Sequence, residues 1–182
     1  TVTPPGGPAL RDHASTYGVI QLGYTLHGGI TAPLWGGEWA NNLTLQSNGL
    51  GYGTEYDSAA SSSHFDNTSH SRSGEFGSHW QGLLGTVNLE TILLQRLNHN
   101  ESGQTSNTPS GTSTFGSAND GGESIARATA RYTLSPALGV EGGGEITWNF
   151  LDGHTSFVSN GVGVTLPNAN VAVDELRGET FV

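Results

Sequence analysis

SIARATARYTLSPALGVEGGGEITWNFL, Ser124–Leu151, decides the fold. Ala126, Ala128, Ala130, Tyr132 and Leu134 alternate with Arg127, Thr129, Arg131 and Thr133. Beyond Ser135-Pro136 the alternation resumes: Leu138, Val140, Gly142, Gly144, Ile146, Trp148 and Phe150 fall on one side, and Gly139, Glu141, Gly143, Glu145, Thr147 and Asn149 on the other. A period of two is the signature of a β-strand with unlike faces. Two such runs joined by a tight turn make a hairpin. Each run holds at least about eleven residues, longer than the five or six usual in the sheets of water-soluble proteins. One face is apolar and ends in aromatics. The other sets two arginines beside two glutamates. That is the pattern of a barrel strand with its apolar side to lipid and its polar side to a wet lumen. On this basis Tyr132, Ile146, Trp148 and Phe150 are candidate lipid-facing residues, and Arg127, Arg131, Glu141, Glu145 and Asn149 candidate lumen-facing ones. An exposed antiparallel sheet with cross-strand ion pairs would show the same alternation.

Working outward, Thr16–Leu26 alternates with Ile20, Leu22, Tyr24 and Leu26 on one face, and Trp39–Ser47 alternates again. Thr86–Gln95 has Val87, Leu89 and Leu93 at strand spacing, though the pair Leu93-Leu94 blurs the period. Residues 57–74 and 97–122 are polar and rich in Ser, Thr, Asn and Gly, so they are expected to be long loops, because they offer little apolar surface to offset the entropy of ordering. Residues 1–15, with three prolines, are expected to be an arm or loop, leaving 16–182 as the region of barrel-type strands. The expected class is therefore all-β: antiparallel strands of an outer-membrane-type barrel, partial or small, with long loops. Its place is the outer membrane or the cell surface.

Composition narrows the function. The chain has 182 residues with 28 Gly, no Cys and a formal net charge of −10. All six basic residues are Arg, and they are not clustered, which argues against nucleic acid as a partner. Without Cys there is no disulfide and no thiolate metal site. No run of eighteen apolar residues marks a transmembrane helix, which leaves strands as the means of crossing a membrane. The opening Thr1-Val2-Thr3-Pro4-Pro5 does not read as a signal peptide.

No catalytic group stands out, and an enzyme is not expected. Glu141 and Glu145 lie about 13 Å apart on a strand, beyond the spacing of glycosidase carboxylates. His64, Asp66 and His70 are weak metal candidates, since scattered His in a Ser-rich segment are usually solvated. No cofactor is expected.

The segments GESIARATARYTLSPALGVEGGGEITWNFLDG (122–153) and GVGVTLPNANVAVDELRGETFV (161–182) resemble a recurrent stretch of the TonB-dependent receptors of sphingomonad-type Gram-negative bacteria. TVNLETILLQRL (86–97) and YGVIQLGYTL (17–26) resemble earlier strands of the same barrels. The resemblance implies a part in nutrient uptake, with membrane lipid and the remainder of a receptor barrel as partners, and an energy-coupling protein only where the chain is part of a full receptor. Receptors of this kind are several times longer and carry a plug domain, so the expectation is a piece of barrel that does not by itself perform coupled transport. With six to eight strands, such a piece would close only a minimal barrel. Two other functions fit the residues. Open strand edges pair with other β-chains, so self-association into surface fibres is one. A carbohydrate-binding sandwich using Trp35, Trp39 and Trp80 is the other.

Overall fold

In a computed structural model, residues 13–58 and 61–182 are described, and they contain strands and turns without a helix. The strands are β1 (His13–Leu34), β2 (Gly37–Asp57), β3 (Ser62–Leu84), β4 (Val87–Thr108), β5 (Gly111–Ser135), β6 (Leu138–Ser159), β7 (Val162–Val164) and β8 (Val171–Phe181). They form one antiparallel sheet in chain order, with β7 and β8 both paired to β6. The sheet is open: among the described residues β1 pairs only with β2, and β8 only with β6.

The predicted hairpin is present. β5 and β6 meet at Pro136-Ala137, with Arg127 opposite Glu145 and Arg131 opposite Glu141. The two expected long loops are not loops. Residues 62–74 belong to β3, and 97–122 is shared by β4 and β5, which meet at a two-residue turn between Thr108 and Gly111. The loop expectation weighed only side-chain burial. In a meander each backbone N–H and C=O is taken up by a neighbouring strand, and polar cross-strand pairs add to this. Gln104 Nε2 donates to Asn67 Oδ1 at 2.9 Å, and His99 Nδ1 lies 2.7 Å from Asp120 Oδ1. The strands start as amphipathic hairpins and continue as polar ones. Of the expected arm, residues 1–12 lie outside the described residues, and 13–15 already belong to β1.

Tight turns close both ends of the meander. Trp35 and Gly36 have φ of 51° and 75°, and Asn160 and Gly161 have 50° and 78°. Positive φ at both central residues is the hairpin turn whose twist suits the flanking strands. The three turns at residues 35–36, 85–86 and 136–137 define the turn end of the sheet, and the opposite tips its far end. Gly37, Gly82, Leu89 and Ala130 lie on one ladder rung. The first turn sits on that rung, at Leu34↔Gly37. The second lies two residues beyond it, at Leu84↔Val87, and the third beyond that, at Ser135↔Leu138. A step of about two residues per hairpin, roughly 6.6 Å against two strand spacings of about 9.6 Å, is a slant of about 35°. Strands tilted by about 35–45° are what closing a sheet into a barrel requires.

There is almost no core. Among the described residues Trp80 is the one large apolar side chain that is buried, at 8% exposure, while Ile20, Leu22, Leu93, Ile146 and Leu176 are open. A sheet of a water-soluble domain buries one face against a second layer. Here there is one layer, which removes the sandwich architecture on which the carbohydrate-binding expectation rested.

Candidate functional site

The register sorts the side chains into two faces. On the first lie Ile20, Leu22, Tyr24, Leu26 and Ile30 of β1, then Trp39, Leu43 and Leu45 of β2, Phe76 and Trp80 of β3, and Val87, Leu89, Leu93 and Leu97 of β4. The same face continues through Ala126–Tyr132 of β5 at every second position and through Leu138, Val140, Ile146, Trp148 and Phe150 of β6 to Leu176 of β8. All four candidate lipid-facing residues, Tyr132, Ile146, Trp148 and Phe150, are on it. On β2 to β6 it is apolar mainly in the half toward the turns, while on β1 Ile20 and Leu22 carry it further. The rung Ser47–Arg72–His99–Asp120–Asp152 ends the apolar stretch abruptly across five strands. Along β6 the apolar stretch runs from Val140, opposite Tyr132, to Phe150, about 33 Å of strand and about 25 Å of height at a 40° tilt. Aromatics mark both limits: Trp35, Trp39, Trp80 and Tyr132 toward the turns, and Phe76, Trp148 and Phe150 toward the charged rung. The Trp148 and Phe150 rings are 5.2 Å apart. Trp39 Nε1 donates to Ser78 Oγ at 3.0 Å and Trp80 Nε1 to the Leu34 carbonyl at 2.9 Å, so neither indole N–H needs water. Ser78, Thr91, Gln95, Ser124 and Asn41 interrupt this surface; Ser124 donates to Gln95 Oε1 at 2.7 Å, whereas the Asn41 amide is buried with no hydrogen-bond partner among the described residues.

The second face is mainly polar and is held by ion pairs. Arg96 bridges two strands at once, with Nε donating to Glu75 at 2.8 Å and Nη1 to Glu123 at 3.2 Å. Arg127 Nε donates to Glu145 at 2.7 Å and Arg131 Nε to Glu141 at 2.7 Å. Thr147 is the most buried side chain, at 1% exposure, and its hydroxyl donates to the other Glu145 oxygen at 3.1 Å. Asn149 stands opposite Glu123, at the end of the Arg96 rung. All five candidate lumen-facing residues therefore share this face. Sequence reasoning missed Glu75, Arg96 and Glu123 as a unit, because Glu123 borders a segment taken for a loop. Ile92, Leu94 and Ile125 also lie on the polar face, which is why Leu93-Leu94 blurred the period.

Beyond the charged rung the first face is largely polar on β2 to β6, and the second carries Leu50, Phe65, Phe115 and Phe157 among polar side chains. His99 hydrogen-bonds Asp120 and lies 3.2 Å from Glu101, and these two carboxylates raise its pKa above the ordinary imidazole value. His64 and Asp66 are neighbours at 3.3 Å, and both contact the Tyr17 hydroxyl. His70 is on the same face but four residues further along β3, about 13 Å from Asp66 by strand rise. The three weak metal candidates are thus not brought to one point, and no group of three or more potential ligands converges among the described residues.

No protein-family model matches the chain, and no curated protein matches it. Among solved structures it is similar to the ferric yersiniabactin uptake receptor FyuA from Yersinia pestis, with 12% identity and a TM-score of 0.46 over 88% of this chain. That match spans 24% of the receptor, so this chain covers about a quarter of its length.

Proposed function

We propose that this chain is part of the wall of an outer-membrane barrel of the TonB-dependent receptor type, with its apolar face to lipid and its ion-paired face to the lumen. The observation that carries the reading is the apolar stretch itself: about 25 Å high, limited by aromatics on both sides, and carried by a one-layer sheet that covers it with nothing. A part in nutrient uptake comes with the resemblance of residues 122–153 to such receptors, and the ligand would be recognised by the assembled barrel. The chain has no catalytic role in this reading, and its partners are lipid and further strands.

The test is to refold the chain into vesicles whose lipids carry bromine at defined acyl depths. Fluorescence of Trp39, Trp80 and Trp148 should be quenched, whereas a chain that stays monodisperse in detergent-free buffer and unquenched by the vesicles sinks the proposal. The open edges of β1 and β8 support a second reading, assembly into surface fibres. Filaments seen by electron microscopy under detergent-free conditions would favour it over the wall.

A further inference from the structure

Among the described residues the sheet has eight strands but seven strand positions, because β7 and β8 share the edge of β6 that β5 leaves free. β7 pairs with residues 157–159 and β8 with 143–153, so residues 165–170 pass opposite only 154–156. The Thr155 N–H donates to Asn170 Oδ1 at 2.9 Å across this break, which keeps the two strands in one line. Every neighbouring pair is antiparallel. β1 therefore runs toward the turn end, β2 away from it, and so on to β8, which again runs toward the turn end. The two free edges belong to strands that run the same way.

We infer that this wall is closed by an odd number of further strands, and that those meeting β1 and β8 run from the turn end outward. The inference rests on the wall reading above and adds the direction and parity of what completes it. Joining β1 to β8 of the same chain would make a parallel seam. A second copy offers no escape. Copies in one membrane share their orientation, because the apolar stretch lies toward the turn end, so β8 of one copy would again meet a β1 running the same way. Turning a copy over would carry its polar far half to the wrong side. Single-chain bacterial barrels close with an even number of antiparallel strands, and seven positions reach an even number only with an odd addition. The minimal closure expected from six to eight strands is thus not one this chain makes alone. The strand that meets β1 must match an edge of 22 residues and set apolar side chains level with Ile20–Leu34 on one face.

The chain has no Cys, so introduced pairs report cleanly. In the full chain refolded in micelles, Leu26→Cys with Leu45→Cys, which are directly opposite in the β1–β2 ladder, should cross-link on oxidation. Leu176→Cys on β8, combined in turn with Leu22→Cys, Leu26→Cys and Ile30→Cys on β1, should give no cross-link, either within a monomer or between two. In the same samples, amides in the far half of β1 should exchange at least about tenfold faster than those of β3, as expected of an edge without a partner. A β1–β8 cross-link in the monomer band, or in a dimer band, overturns the inference and leaves the wall reading intact. Failure of Trp fluorescence to change on transfer to micelles counts against the wall reading instead, and the cross-linking pattern then reports edge parity in the water-borne sheet.

Discussion

At the scale of single residues, the sheet contains one group that works against it and one that responds to pH. The Asn41 amide sits on the apolar face with both of its polar atoms buried and unpaired. A buried amide that has lost its water and gained no partner costs about 1–3 kcal/mol, whereas an apolar side chain of the same shape does not. Asn41→Leu is expected to raise the urea midpoint of the refolded chain by the equivalent of about 1–2 kcal/mol. His99, outside the apolar stretch, is the opposite case. Asp120 and Glu101 favour its protonated form and raise its pKa above 6.5 in the folded chain. Its stabilising contribution is therefore complete below pH 6.5 and is lost as pH rises through the raised folded value. The difference in urea midpoint between the native chain and His99→Gln should shrink as pH is raised from 6 to 9. A constant difference would mean that the imidazole acts through packing alone.

At the scale of elements, β6 shows what its glycines do. A side chain at Gly143 would collide with the Ala128 carbonyl oxygen of β5 and come within 2.7 Å of the Phe181 ring of β8, while at Gly142 the nearest atom is an ordinary 3.4 Å away. Gly143→Ala should cost about 1–3 kcal/mol in thermal or urea unfolding, as overpacking does. Gly142→Ala should be neutral or stabilise by about 0.4–1 kcal/mol through the unfolded chain. The β5–β6 hairpin is also where the sequence was most legible. Arg127, Arg131, Glu141 and Glu145 could be placed on one face from spacing alone, and the register pairs them as the alternation implied. The far halves of β3, β4 and β5 were not legible. There His64, Asp66, His99 and Asp120 on one face stand against Ser69, Ser71, Asn98 and Asn100 on the other, so no apolar–polar contrast between faces survives, and a strand held by ladder bonds reads like a loop. The Glu75–Arg96–Glu123 bridge was lost for the same reason: its members lie on three strands, and the length of those strands fixes which rung they share.

At the scale of the whole molecule, the proposed wall makes depth in the membrane a measurable coordinate. Ile146 lies near the middle of the span from Val140 to Phe150 on the apolar face, and Leu138 lies on the same face beside the third turn. Ile146→Arg should cost about 2–4 kcal/mol in bilayers and Leu138→Arg about 0–1 kcal/mol, since the penalty for a lipid-facing charge falls from midplane to interface. Equal costs at the two sites would contradict the assigned band. Most strands carry 21–25 residues, about twice the 9–11 that cross a bilayer, so in the proposed reading the wall stands well clear of the membrane on the far side.

The steady step from one turn to the next has an evolutionary side. Each hairpin contacts only its sequence neighbours and advances by the same small offset. A duplicated hairpin could therefore enter this sheet without disturbing any existing register. Such a wall is a ruled pattern that copies itself: its girth can change in units of two strands by gene duplication, while the height of its greasy belt stays constant.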